Sequence, residues 1–368
     1  MNQTKLFGGR KMAIIKLLMA FILSFTQILT PITATVVGGE DKFFYNWSVN
    51  DEYSSDTYAV ALEKDPDKDF VVLNIADVQL KDKEAYADDW TIASETIDRL
   101  VKELNPDLIT LTGDNAWGPV AYLELINFID AYGIPWAPIM GNHDGQHLIS
   151  EFWAAYRMSE AENCLFKFGP KDMGYGNYIL NITENGKTIH TLFMMDTHSD
   201  AENGGYDHLW ANQIEWYKWA VNGIAEENGG TVESTVFMHI PVCEYKDAWK
   251  SVYDEENECF YEDTDVDYFG DNGEGICSPK DENNTGFFDV CKSLGSTKNI
   301  IAGHDHVNCA SIMYEGIRLS YALKTGPGCY WDEEKNGGST LTISSDGSAV
   351  FEHHYVDVST IQLADTVC

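Results

Sequence analysis

Five short polar clusters, each closing an apolar run, constrain this chain more than any other feature of it. They read Asp77-Val78-Gln79, Gly113-Asp114-Asn115, Gly141-Asn142-His143-Asp144, His239-Ile240-Pro241 and Gly303-His304-Asp305-His306. The runs before them, residues 70–76, 108–112, 136–140, 235–238 and 300–302, have the length and apolar content of buried strands. Amphipathic stretches at 85–104, 122–132, 209–225 and 286–294 read as helices. The run 188–195 adds another strand, and 341–343 and 349–351 alternate like antiparallel ones. Residues 36–69 read as an edge hairpin. Strand–helix alternation followed by strands predicts a two-sheet α/β sandwich. Loops beyond the carboxyl ends of strands are where such sheets gather ligands, so the clusters should meet along one rim. In extended chain, residues i and i+2 project to the same side, which predicts Asp77 with Gln79, and His304 with His306, at a common site.

The clusters supply carboxylates, an amide and imidazoles. That donor set suits two neighbouring divalent or trivalent ions such as Fe, Mn or Zn. Asp114 follows a glycine at a strand end, and its two oxygens could bridge both ions. Asn142 offers a neutral carbonyl oxygen, His239, His304 and His306 offer imidazole nitrogens, and Asp77 adds a hard oxygen. His143 is adjacent to Asn142 yet free to face a substrate and protonate a departing oxygen. Asp144 is the group expected to orient it. Two ions about 3.5–4 Å apart are a device for in-line displacement at phosphorus. Asp196 and His198 are weaker candidates, as partners that orient ligands. His147, His190, His208, His353 and His354 read as satisfied or solvated, and Trp210, Trp216 and Trp219 as a core-facing helix stripe.

The formal net charge of −35 makes a nucleic acid duplex an unsuitable partner, because such binding needs Lys and Arg against phosphates. It does not exclude a small phosphate ester, since bound cations would dominate the local field. Residues 1–35 have a basic start, an apolar run and a small residue at Ala34, and read as a cleaved signal peptide. The expectation is a secreted or extracytoplasmic domain over 36–368, with no stable membrane insertion after cleavage. Eight cysteines behind such a leader suggest disulfides. Residues 243–284 form an acidic, cysteine-rich insertion with little helix or strand pattern, a candidate lid between His239 and the last cluster.

This motif set resembles the calcineurin-like metallophosphoesterase superfamily from residue 70 to the C-terminus. Within it, TGDN, GNHD, HIPVCEY (239–245), TGFFDV (285–290) and AGHDHVN (302–308) are similar to secreted purple-acid-phosphatase-related proteins of plants and fungi. The resemblance implies a four-layer α/β/β/α sandwich of two mixed sheets. It implies that Asp77 and His306 hold one metal, that Asn142, His239 and His304 hold the other, and that Asp114 bridges them. Asn308 and Tyr245 would line the pocket. The implied reaction is hydrolysis of phosphomonoesters by a metal-bridging hydroxide with His143 assisting. Phosphodiesters or nucleotides remain alternative substrates. The departure is Gln79, where the family usually has histidine. An amide oxygen there would bind the first metal less tightly, and a non-catalytic binding protein is the alternative it opens. Trp117 stands where purple acid phosphatases recruit a tyrosine, so a purple chromophore is not expected.

Overall fold

The strands that end in the five clusters divide between two mixed sheets. The computed structural model describes residues 39–261 and 268–363. The chain divides into two units, 1–44 and 45–368. In the first, the described residues form one 3-10 turn, Glu40–Phe43. The second holds both sheets.

The five-stranded sheet runs, edge to edge, Ala349–Tyr355, Gly337–Ile343, Phe70–Ile75, Leu108–Thr112 and Trp136–Ile139. The last three are parallel, with Val72 opposite Leu108 and Ile109 opposite Trp136. Every residue of Leu108–Thr112 is buried, as a strand covered on both faces requires. The eight-stranded sheet runs Ala59–Glu63, Tyr178–Glu184, Lys187–Met194, Glu233–Met238, Thr297–Ala302, Ile317–Tyr321, Ser311–Tyr314 and Tyr268–Phe269. Lys187–Met194, Glu233–Met238 and Thr297–Ala302 are parallel neighbours. Parallel strands need long crossovers, and the helices Ala87–Leu104 and Ala211–Asn228 provide two of them. Ala87–Leu104 packs on the Phe70–Ile75 and Gly337–Ile343 strands, while Phe287–Leu294 packs on Thr297–Ala302. The expected four-layer sandwich of helices outside two mixed sheets is the fold observed. Trp216, Trp219, Tyr217 and Phe193 belong to a buried cluster, as the stripe predicted, but Trp210 caps the helix at its exposed start and is not part of it.

Several expectations are corrected. Residues 59–63 do not form a hairpin; they pair in parallel with Tyr178–Glu184 as an edge strand. The insertion is more regular than its composition suggested, since Glu244–Val252 is a helix packed on Ser311–Tyr314. Its register of Tyr245, Ala248, Trp249 and Val252 toward the core was hidden among acidic residues. Farther along, Glu274 and Cys277 are tied to the last cluster: Cys277 N–H donates to Asp305, and Val307 N–H donates to Glu274. No disulfide joins any two of the seven described cysteines, Cys164, Cys243, Cys259, Cys277, Cys291, Cys309 and Cys329. Cys291 is packed into the core, and the Cys309 sulfur accepts a bond from Asp271 N–H. The leader and Cys368 lie outside the described residues. Among the described residues no helix is long and apolar enough to cross a membrane.

Candidate metal centre

All five clusters do converge, but not by the extended-chain geometry. Asp77, Gln79, Asp114 and His304 all have positive φ, between 46° and 74°. Non-glycine residues occupy this region rarely and at a cost, and such outliers gather at functional sites. The strands before Asp77, Asp114 and His304 therefore end in left-handed turns that throw the side chain inward, and the Asp77–Gln79 pairing works through a turn rather than a pleat.

Glycine makes two of these turns possible. A Cβ on Gly141 would stand 2.2 Å from the Asp114 backbone nitrogen. One on Gly113, at φ +84°, would stand 2.6 Å from His239 Nδ1. The loops touch, backbone against side chain, only because these positions are bare. Asp144 then clamps them together. Its buried carboxylate accepts from the backbone N–H of Gly141 (2.7 Å), Asp114 (3.0 Å) and Asn115 (2.8 Å), and from the Asn115 amide (2.9 Å). Burial, and then the neighbouring Asp114 charge, push its pKa up to about 6.

The donor atoms face one another. His239 Nδ1 donates to the Thr112 carbonyl at 2.8 Å, because a carbonyl can only accept. Its Nε2 is thereby aimed into the site, 2.9 Å from Asn142 Oδ1, 3.3 Å from His304 Nδ1 and 3.4 Å from Asp114 Oδ1. His306 follows the same logic: Nδ1 lies 3.0 Å from the Tyr330 carbonyl, so Nε2 points to Asp77 Oδ1 at 3.6 Å. Anchoring one ring nitrogen on a carbonyl is how proteins present the other to a metal. Asp77, Asp114 and His306 each offer a ligand atom, all within 4.8 Å of one another. His304 Nε2 is buried and has no hydrogen-bond partner. Burial pulls His239 toward neutrality, yet Asp114 and Asp77 outweigh it and raise its pKa. Burial would raise Asp77, but the His306 hydrogen bond and the charges of His239, His306 and Lys324 hold it well below the usual carboxylate range. A pocket of converging lone pairs that favours positive charge fits a cation, so the residues present suit a metal centre.

Other expectations are redirected. The Gln79 amide nitrogen donates to Asp114 Oδ2 at 2.7 Å, and its oxygen lies 3.5 Å from the Lys324 ammonium. His143 is half-buried with its Nδ1 3.0 Å from Gln146 Oε1, so Gln146, not Asp144, holds the ring. Trp117 stacks on His143 at 5.4 Å between centroids. Asp196 and His198 belong to a separate network with Asn177 and Gln213. Thr197 between them accepts from Ile240 N–H and so supports the His239 turn. Tyr245 is a core pin bonded to the Ile300 and Ser320 carbonyls. Asn308 ties the last cluster to Gly275 and Asp305.

Sequence reasoning missed Lys324. It is 3% exposed, donates to the backbone oxygen of Asp77, and burial pushes its pKa down to about 8 against the pull of Asp77 and Asp114. The available signal was a lone lysine closing the apolar stretch Tyr321-Ala322-Leu323. Two rim aromatics were missed as well: Tyr206, edge-on to His304 at 4.3 Å, and Tyr330, stacked on His306 at 4.2 Å and half exposed.

Residues 70–308 match the family described as calcineurin-like phosphoesterase. The chain belongs to that family. Residues 70–308 form the corresponding domain. Among curated relatives it is 27% identical over 260 residues to "Probable inactive purple acid phosphatase 14" of Arabidopsis thaliana, covering 62% of this chain and 61% of that protein. It is also 27% identical over 285 residues to "Phosphatase DCR2" of Saccharomyces cerevisiae, covering 69% of this chain and 46% of the relative. The chain thus spans about half to three-fifths of the length of these relatives. A solved dimetal phosphatase from Danio rerio aligns with a TM-score of 0.49 at 13% identity, over 78% of this chain and 96% of that one.

Proposed function

We propose that this chain is a secreted phosphomonoesterase working with two metal ions. The observation that carries the reading is the meeting of Asp114 Oδ1, Asn142 Oδ1 and His304 Nδ1 around His239 Nε2, beside the Asp77–His306 pair. In this reading Asp77, His306 and Gln79 surround one ion, Asn142, His239 and His304 the other, and Asp114 stands between them. Ions bound there would neutralise charge on the phosphoryl oxygens and supply the attacking oxygen. The chain's own groups do the rest. His143 lies at the edge of the cage, where its ring can hydrogen-bond a phosphoryl oxygen and give a proton to the departing alkoxide. Gln146 and Trp117 hold that ring, and Asp144 keeps the Asp114 and Asn142 loops in register. The acidic surface and the basic-then-apolar leader support a secreted protein.

The test is metal content and turnover of p-nitrophenyl phosphate for the wild type beside Asp114→Asn. Both should fall sharply, turnover by about a hundredfold or more. Full activity in the variant would defeat the assignment. One observation favours a second reading, nucleotides or diesters with an aromatic group: Tyr206 and Tyr330 present rings against two site histidines. Faster turnover of bis-p-nitrophenyl phosphate or a nucleoside monophosphate than of an alkyl phosphate would select it.

A further inference from the structure

We infer that Lys324 is a built-in cation beside the Asp77–Gln79–His306 position, making the two metal positions unequal: one ion is held firmly and the other reversibly. The inference rests on the metal-centre reading above and deepens it. Three observations carry it. Lys324 is buried, and its ammonium donates to the Asp77 backbone oxygen, so it is fixed next to a ligand rather than free to leave for solvent. Gln79 lies between the ammonium and the shared carboxylate, with its oxygen 3.5 Å from Lys324 Nζ and its amide nitrogen 2.7 Å from Asp114 Oδ2. That amide occupies a lone pair of Asp114 Oδ2 beside the lysine, while Asp114 Oδ1 accepts the His143 backbone N–H and faces His239. Among the described residues, no lysine enters the hydrogen-bond network of the other position, around Asn142, His239 and His304.

Charge counting adds a general penalty for a second ion, which the lysine increases and which falls hardest on the position nearest to it. Asp77 and Asp114 contribute −2 and Lys324 +1, leaving −1 in the cage. One divalent ion brings the total to +1 and a second brings it to +3. Like charges in a buried, low-dielectric place repel strongly at such separations, so the second ion meets an opposing field that the first does not. An incoming phosphate ester would relieve it. Lys324 acts as a positioning residue that keeps Asp77 oriented.

The experiment uses the full chain stripped of metal and titrated with Zn²⁺, with stoichiometry read by mass spectrometry after desalting and affinities by calorimetry. The wild type should retain about one Zn²⁺ per chain and take the second more weakly. Lys324→Gln keeps an N–H for the Asp77 carbonyl but removes the charge. It should tighten the weaker ion by roughly tenfold. Lys324→Arg should behave like the wild type. Two equally tight ions in the wild type would overturn the inference without any variant, so it stays testable if Lys324→Gln does not fold. An unchanged or weakened second ion in Lys324→Gln overturns it too, while leaving the phosphoesterase reading intact. Zn²⁺ uptake by no form of the protein defeats both.

Discussion

Asp144 shows how a motif residue can matter without touching the chemistry. Four hydrogen bonds converge on its carboxylate from two loops, and no other group replaces them. Asp144→Ala would leave buried N–H groups unsatisfied at about 1–3 kcal/mol each, so we expect a loss of several kcal/mol in chemical denaturation. His143→Ala should behave in the opposite way, with normal stability and metal content but turnover down by about 10²–10⁴. Equal loss in metal content and turnover would remove His143 from the catalytic role. Gly141→Ala should abolish metal uptake, because its Cβ would lie 2.3 Å from Asp114 Oδ1. Residue identities at the site were legible because apolar runs ending in Asp, Asn or His are conspicuous. Their roles were less so: the Asp144 clamp, the Gln146 contact and the Lys324 ammonium arise from loops meeting across long separations, which spacing along a chain does not encode.

At the scale of elements, two strands carry histidines outside the candidate centre, His190 buried and His353 partly buried. His190 on Lys187–Met194 bonds the Gly347 carbonyl and Thr235, and His353 on Ala349–Tyr355 bonds Ser339 and the Cys309 carbonyl. Burial pushes the pKa of each down to about 4. The unfolded chain takes up protons near the usual histidine value of about 6.5, and the native strands do so only near pH 4. Stability from these groups is therefore full above the unfolded value and is lost as pH falls toward 4. The loss should reach up to about 3 kcal/mol per histidine, visible as a falling Tm, and His190→Gln should flatten the slope. A Tm that is flat between pH 6.5 and 4 would contradict this. Long, strongly periodic elements such as Leu108–Thr112 and Ala87–Leu104 were readable within a residue or two. The edge strand Ala59–Glu63 and the helix Glu244–Val252 were not, because pairing with Tyr178–Glu184 and packing on Ser311–Tyr314, both remote along the chain, decide them.

At the scale of the molecule, the candidate ligands come from both sheets. Asp77, Asp114 and Asn142 follow strands of the smaller sheet; His239 and the two later histidines follow strands of the larger. Ion binding should therefore stabilise the whole fold, by about 2.7 kcal/mol when free metal stands a hundredfold above its dissociation constant, and a chelator should reverse the rise in Tm. A melting curve indifferent to metal would mean that the ions, if bound, do not join the sheets. The two-sheet architecture was legible from alternation alone, whereas the alignment of one sheet on the other was not, since no local pattern records it.

One contact across that alignment is the imidazole of His239 lodged against the final carbonyl of the Leu108–Thr112 strand. Sliding either sheet would move the ligands from one sheet relative to those from the other. A cobalt ion placed in the cage would thus serve as a colorimetric ruler for slippage between the two layers.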